Sequence, residues 1–254
     1  MFPNAIPALS ADHRSSHDAA KVLRETGFVL VSPASLERVS GLSRTALDSW
    51  RETWNRLPRD QYLLDGGRYR FRRHSCFIQH LEGSRSLERA PHRAHWQPTH
   101  YNALHGGIER WFEPIEDEVL DAPAWEQLLV SLGDVFSILS PVDRWYIEAH
   151  QFRIDAAEGI GRPTPEGAHR DGVDYVAVIL VDRQGVRGGE TRVFEADGVC
   201  GVRFTMQEPW TMLLLDDARV VHETTPIQKS GERPLRDTLV LTYRAGGFQE
   251  PERG

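Results

Sequence analysis

The sequence predicts an α+β protein, mainly β, built as a jelly roll that is braced by N-terminal and central helices. Helical hydrophobic periodicity dominates the first half of the 254-residue chain. Short runs of β-forming residues, separated by turn signals, dominate the second half, and this order of elements is typical of a helix-braced jelly roll. We expect one domain over residues 1–254, with mostly helical support and substrate-side elements over about 1–140 and the jelly-roll core over about 141–246.

Helical and β patterns alternate in the first sixty residues. Residues 19–24 predict a short helix that ends at Gly27, and residues 28–31 form an apolar β run. Ser35 is the predicted N-cap of a long amphipathic helix, because apolar residues recur at helical spacing from there to Trp50. The N-terminal part of the chain is therefore expected to be mainly helical.

Two further patterns precede the jelly-roll region. Residues 68–72 alternate basic and aromatic side chains, which predicts a strand with one solvated or anion-facing side. Residues 116–139 predict a second helical region with a buried stripe that includes Trp125. Pro141 ends that region, since proline cannot continue a helix.

Short β runs replace the helical pattern from Trp145 onward. Gly188-Gly189 separates the second run from the third. The predicted strands are residues 145–154, 175–181, 190–194, 202–206, 211–215 and 238–243.

Composition excludes several classes of protein. The net charge of −7 does not favour general affinity for nucleic acid, and no apolar run is long enough for a transmembrane helix. The N-terminus lacks the charged and apolar regions of a secretory signal.

Cys76 and Cys200 occur without a C-x-x-C motif, which favours a reducing cytoplasm, with a bridge between them as the alternative. We expect a small-molecule substrate as the partner; the oligomeric state stays open, and a homodimer is compatible with the sequence.

The segment His169-Arg170-Asp171 and the later His222 have the composition of a metal site. Two imidazoles and one carboxylate can occupy one face of an octahedral ion, as in non-haem Fe(II) oxygenases. Alternate residues of a strand point to the same side, so His169 and Asp171 can converge on one ion while His222 comes from a distant strand. The segment His80-Leu81-Glu82 has the same spacing, but no distal ligand and anion site follow it at a suitable distance.

An arginine downstream of the metal motif is placed to bind a carboxylate. Arg236 opens the last predicted strand, and a guanidinium binds a carboxylate with two parallel hydrogen bonds. In a jelly roll we expect that strand to adjoin the one that carries His222. Arg233, in a Gly-Glu-Arg-Pro loop, and Arg244, at the far end of the strand, are the alternatives.

The metal motif and its surroundings resemble a known family. The segment PEGAHRDGVDYV at residues 165–176 resembles the signature of the bacterial 2-oxoglutarate/Fe(II)-dependent dioxygenases that include L-isoleucine 4-hydroxylase. The resemblance covers roughly residues 68–243. Further matching segments are RGGET at 187–191, HETTPI at 222–227, Arg236-Asp237, and Asn102 followed by Gly106-Gly107 and Arg110.

The resemblance implies a fold, a cofactor and an activity. It implies a double-stranded β-helix that holds Fe(II) through His169, Asp171 and His222, with 2-oxoglutarate and O2 as cosubstrates. It also implies that Arg236, helped by Thr238, binds the distal carboxylate of 2-oxoglutarate. Relatives of this kind hydroxylate unactivated C–H bonds of free aliphatic amino acids and release succinate and CO2. Because Asp171 is retained, halogenation is disfavoured.

Several polar residues are candidates for substrate contacts, and each has an equally ordinary structural interpretation. The substrate-contact candidates are Gln151, Arg153, Glu166, Asp174, Arg70, Arg72 and Arg110.

Two other functions stay open, a dioxygenase that tailors a larger metabolite or peptide and a non-catalytic, cupin-like metal-binding jelly roll. A second metal site among His92, His95, His100 and His105 is a further alternative.

Overall fold

The computed structural model shows a mainly β protein and describes residues 2–3, 5–9, 15–83, 86–102 and 104–251. In chain order the elements of its first half are β1 (Ala8–Leu9), α1 (Ser16–Thr26), β2 (Phe28–Val31), α2 (Pro33–Ser40), α3 (Arg44–Asp48), a 3-10 helix (Arg51–Arg56), β3 (Arg70–His80), β4 (Ser86–Arg89), α4 (Asp117–Leu120) and α5 (Pro123–Leu139). The second half contains β5 (Arg144–Asp155), β6 (Tyr175–Gln184), β7 (Val186–Gly188), β8 (Thr191–Glu195), β9 (Gly201–Phe204), β10 (Met212–Asp216), β11 (Val220–Thr224), β12 (Ile227–Lys229) and β13 (Leu235–Arg244).

The strands form one large sheet and two small ones. The main sheet has the order β1-β2-β10-β6-β13-β5-β3-β4, the second sheet has the order β11-β8-β9, and β12 pairs with β7. One cavity is lined both by residues of the main sheet, such as Phe152 and Val240, and by His222 of β11. The cavity therefore lies between the two sheets, as expected for a jelly roll.

The register of β5 decides which of its side chains reach the cavity. Its neighbours are β13 and β3, and His150 is aligned with Val240 on one side and His74 on the other. Successive side chains of a strand point to opposite faces. The cavity-facing residues of β5 are Glu148, His150, Phe152 and Ile154, and the residues that join the core on the other face include Trp145, Ile147 and Ala149.

Helix α5 packs on the face of the main sheet that points away from the cavity. The Tyr243 hydroxyl donates a hydrogen bond to the carbonyl of Leu129 at 2.8 Å, and Trp145 donates its indole N–H to the carbonyl of Gly133 at 3.1 Å. Helix and sheet side chains belong to one continuous core, and the predicted buried stripe of α5, including Trp125, lies within it.

The prediction of one long helix from Ser35 to Trp50 is wrong. The N-cap is Ser32, whose hydroxyl accepts from the backbone of Ser35, and α2 ends at Gly41 with a φ of 69°. That left-handed conformation is open to glycine at little cost and stops the helix. A new cap at Ser43 then starts α3, so the apolar spacing that extends across these breaks comes from separate short helices.

The second predicted helical region and the arginine-rich strand also differ from expectation. Pro123 stands in the first turn of α5 and separates it from α4. The arginine strand begins at Arg70 and continues as the 11-residue β3 in the interior of the main sheet. Arg70 and Arg72 are buried, which excludes the solvated alternative, and Arg70 contacts the carboxylate of Asp60 at 2.7 Å, in agreement with the anion-facing one. Because β3 lies inside the main sheet, that sheet extends across the expected boundary near residue 140.

The two cysteines are both free, with Cys76 buried and Cys200 exposed. This excludes the Cys76–Cys200 bridge. None of the described helices combines the length and the apolar character needed to cross a lipid bilayer.

Phe136 tests the packing of α5 on the sheet. Its buried ring stacks on Tyr175 with the ring centroids 4.6 Å apart. Replacing Phe136 with alanine should lower the free energy of unfolding by about 3–5 kcal/mol, because a cavity replaces an aromatic side chain. Urea unfolding measures the loss. Glu126→Ala, on the exposed side of the same helix, should change it by less than about 1 kcal/mol, which is the contribution of a first-turn carboxylate to the helix dipole. Equal losses in both variants would contradict this packing.

Candidate active site

Three side chains of the cavity form a group that can hold a metal ion. The Nε2 atom of His169 lies 3.8 Å from Oδ1 of Asp171, and the Nε2 atom of His222 lies 3.9 Å from Oδ2 of the same carboxylate. One ligand atom from each residue lies within 4.8 Å of the others. Two imidazoles and one carboxylate are the donor set of non-haem Fe(II) oxygenases, so the residues fit that ion.

The two histidines are held together by their own backbones. His169 donates its N–H to the carbonyl of His222 at 3.1 Å, and His222 donates back at 3.0 Å. The Nδ1 atom of His169 lies 3.0 Å from the carbonyl oxygen of Gly167. That contact places the ring proton on Nδ1 and leaves the Nε2 lone pair for a metal.

Asp171 lies in a loop whose conformation is fixed by Asp217. The expectation that Asp171 shares a strand with His169 is wrong. The carboxylate of Asp217 accepts the backbone N–H groups of Asp171, Gly172 and Val173 at 2.9, 2.8 and 3.2 Å. Asp217 is buried and follows β10 directly. A buried carboxylate that accepts three N–H groups fixes the loop in one conformation, so Asp217 sets the position of the carboxylate ligand.

The raised pKa of His169 indicates surplus negative charge beside that ring. Burial lowers the pKa of His169, but the carboxylates of Asp171 and Glu166 outweigh burial and raise it above its ordinary value. Burial, followed by the charge of His169, lowers the pKa of His222 to about 3. The carboxylates thus favour a positive charge between these rings, and a divalent cation meets that demand.

Arg236 is a buried cation with donors that point to no protein acceptor. The residue is 3% exposed and lines the cavity, and its Nε and Nη2 atoms have no hydrogen-bond partner among the described residues. Burial, followed by the nearby charge of Arg183, lowers its pKa to about 10, so it stays charged at neutral pH. A buried unpaired charge is costly, and Arg236 therefore provides a site for an anion, with Thr238 buried two residues further on β13.

The alternatives to Arg236 lie outside the cavity. Arg233 is exposed in a turn with a φ of 50°, and Arg244 donates to the carbonyl of Gly247 at 2.6 Å. The strand that carries Arg236 pairs with β5 and β6. The expectation that it adjoins the strand of His222 is therefore wrong: β11 belongs to the second sheet, and the two residues line the cavity from different sheets.

The structure brings only some of the predicted substrate-contact residues into the cavity. Glu166, Arg70, Arg72 and Arg110 line it, and Oε1 of Glu166 lies 3.7 Å from Nε2 of His169. The remaining three, Gln151, Arg153 and Asp174, make structural contacts elsewhere: Gln151 with Thr53, Arg153 with Asp237, and Asp174 with the backbone of Ala245. The two β5 candidates fail because odd-numbered positions of that strand face the core.

Sequence reasoning missed a polar group in the wall of the cavity. His74, Glu148 and His150 come from β3 and β5, and His95 joins them from a loop. The proposed loop site among His92, His95, His100 and His105 is not formed, since His95 contacts Glu148 and His92 contacts the carbonyl of Phe112 at 2.8 Å. The available signal was the pair Glu148 and His150, two polar residues on the same face of β5 as Phe152 and Ile154.

Comparisons with known proteins agree with this geometry. A family model described as 2OG-Fe dioxygenase matches residues 51–242. The chain belongs to this family. A bsmA homolog from Methylobium petroleophilum PM1 is 56% identical, covers 93% of this chain and 96% of its own, and superposes with a TM-score of 0.89. No curated protein matches the chain.

Two more distant structures share the fold. IDO from Bacillus thuringiensis is 18% identical, with 94% of this chain and 99% of that chain covered and a TM-score of 0.73. The Fe(II)/α-ketoglutarate-dependent dioxygenase TqaL is 19% identical, with 92% and 91% covered and a TM-score of 0.64. At these identities the likeness is one of fold.

Arg236 should be required for binding of 2-oxoglutarate. Arg236→Ala removes the unpaired buried cation, and the Kd for 2-oxoglutarate should rise by about tenfold or more. Anaerobic titration of the Fe(II) protein, followed by visible absorption, measures it. Arg233→Ala removes an exposed arginine three residues away and should leave the Kd unchanged. A normal Kd in Arg236→Ala would assign the anion to another residue.

Asp217 should act on the metal through the loop that it holds. Asp217→Asn weakens the three backbone hydrogen bonds, and the affinity for Fe(II) should fall by about 10–100-fold, as for other residues that orient metal ligands. Competition with a chelator measures the affinity. Asp216→Asn alters the neighbouring carboxylate, which accepts from the backbone of Ala218, and it should retain wild-type affinity. Equal losses in both variants would refute the positioning role.

Proposed function

We propose that this member of the 2OG-Fe dioxygenase family hydroxylates an unactivated C–H bond of a free L-amino acid. The observation that carries the proposal is a single cavity that combines the three metal-ligand side chains with an unpaired buried arginine and a charged wall. Family membership supplies Fe(II) as the cofactor and 2-oxoglutarate and O2 as cosubstrates.

The residues divide into two binding tasks around the iron. His169, Asp171 and His222 would hold Fe(II), and Arg236 would bind the distal carboxylate of 2-oxoglutarate, with Thr238 beside it. When bound, the iron and 2-oxoglutarate supply the oxidising chemistry, with succinate and CO2 as co-products. The protein itself orients 2-oxoglutarate and the substrate, and it keeps both in a cavity between the two sheets, away from bulk water.

The charges of the cavity wall favour an amino acid as substrate. Arg72 and Arg110 provide positive charge, and Glu148 and Glu166 provide negative charge, all on the lining of one cavity. A free amino acid carries a positive ammonium group and a negative carboxylate group on the same α-carbon, so it matches a wall with charges of both signs. The likeness of residues 165–176 to the family that includes L-isoleucine 4-hydroxylase supports the same substrate class.

Succinate release with each of the twenty L-amino acids tests the proposal. The wild-type protein should release succinate with at least one of them, and anaerobic Fe(II) plus 2-oxoglutarate should give a weak visible absorption band. His169→Ala should abolish both signals because it removes a metal ligand. His80→Ala, in an exposed histidine–glutamate contact, serves as the control and should retain both. A band without succinate release for any amino acid would overturn the proposed substrate.

A further inference from the structure

A carboxylate surrounded by histidines forms part of the cavity wall. One oxygen of Glu148, Oε2, lies 2.9 Å from Nε2 of His74, 2.6 Å from Nδ1 of His95 and 3.7 Å from Nε2 of His150. His74 is fully buried, and the other three residues are nearly so. Three of the four, Glu148, His95 and His150, line the cavity that contains the metal-ligand side chains. We call these four residues the Glu148 cluster.

The hydrogen-bonding pattern of the cluster does not suit a second metal ion. The Nη2 atom of Arg72 lies 2.8 Å from Nδ1 of His150. A guanidinium only donates hydrogen bonds, so Nδ1 accepts and the neutral ring carries its proton on Nε2, where a metal would need a lone pair.

The contacts of Glu148 keep its carboxylate charged. Burial alone would raise the pKa of Glu148, but His95 and His74 together outweigh burial and lower it well below its ordinary value. Burial lowers the pKa of His95 to about 4 and lowers the pKa of His74 and His150, so these rings are neutral at physiological pH. The cluster therefore presents a negative charge to the cavity, held by neutral N–H donors.

Positive charge lies on the same wall. Arg110 is buried and donates through Nη2 to Oε1 of Gln97 at 3.0 Å, while its Nε atom has no partner among the residues that the structure describes. The Nε atom of Arg72 likewise has none. Both arginines are close enough to Glu148 for its charge to raise their pKa values, against a larger lowering by burial. The wall thus contains an anion and two incompletely bonded cations.

One side chain connects this wall to the metal ligands. Gln97 accepts from Arg110 through Oε1 and donates through Nε2 to Oδ1 of Asp171 at 3.3 Å. Asn102 donates to the same Oε1 at 3.3 Å. The charged wall and the metal-ligand carboxylate are therefore separated by a single amide, which places a molecule bound at the wall next to the metal site.

We propose that Glu148 binds the ammonium group of the substrate and that Arg110, with Arg72, binds its carboxylate. This assignment rests on the proposed function, since it names the groups that would recognise a free amino acid in that cavity. His74 and His95 position the carboxylate through hydrogen bonds and do not contact the substrate charge themselves. Molecules that lack the ammonium group should bind weakly even when their carboxylate is intact.

The test compares ammonium with hydroxyl at one position of the ligand. The twenty L-amino acids are titrated calorimetrically into the anaerobic protein with Fe(II) and 2-oxoglutarate, and the tightest binder is compared with its 2-hydroxy acid. Wild-type protein should bind the hydroxy acid about tenfold or more weakly. In Glu148→Gln the two ligands should bind with similar Kd. Glu88→Gln is the matched control, because Glu88 also contacts a histidine, His80, but lies exposed on β4.

The outcomes separate this inference from the proposed function. If wild-type protein gives no visible band with Fe(II) and 2-oxoglutarate, the proposed function fails. If the band forms but wild-type protein binds the hydroxy acid as tightly as the amino acid, the role of Glu148 is refuted while the dioxygenase activity stands. That comparison needs no variant, so it decides the matter even if Glu148→Gln does not fold. A second equivalent of bound metal that persists in His222→Ala and disappears in Glu148→Gln would also overturn the assignment.

Discussion

Two backbone hydrogen bonds between His169 and His222 hold the centre of the molecule together. They join the loop before β6 to the second sheet, so that ligands distant in sequence meet across one cavity. Asp217 fixes the remaining ligand by accepting three successive N–H groups of the same loop. The metal-binding geometry therefore depends on the backbone as much as on the ligand side chains, and the main sheet supplies the opposite wall.

Buried charge is distributed in the cavity according to what each region has to bind. The metal-ligand region has an excess of carboxylates, Arg236 is left without a protein partner, and the Glu148 cluster lies near Arg110 and Arg72. Each of these arrangements costs free energy, because charges have been removed from water without full compensation by the protein. Ligand binding offsets that cost, and selectivity follows from the sign of the charge left open in each region.

The sequence predicts the mainly β class of fold and the three residues that the structure brings together as a candidate metal site, because both depend on local patterns. Strand runs, turn signals and the His-x-Asp spacing can be read directly from the sequence, without knowledge of the tertiary structure. The charged wall of the cavity is harder to predict: the sequence favours Gln151 and Arg153 on β5, whereas Glu148 and His150 face the cavity. A strand that is buried on both faces gives no alternation to reveal its register. The partners of Glu148 are His74 on β3 and His95 in a loop. These contacts depend on the order of the strands in the sheet, which cannot be read from the sequence.

The cavity is lined by two parts of the chain that have different proposed binding roles. Its charged wall takes Arg72, His95, Gln97 and Arg110 from the first half and Glu148 from β5, whereas the proposed ligands of iron and 2-oxoglutarate all follow residue 168. Under the proposed function, substitutions in the wall residues alter which molecule is accepted and leave the proposed ligands of iron and 2-oxoglutarate unchanged. Gln97 is the exception, because its amide touches both. Mutagenesis libraries aimed at new substrates should consequently vary the wall residues of the segment before α4 together with Glu148 of β5, and they should leave Gln97 unchanged.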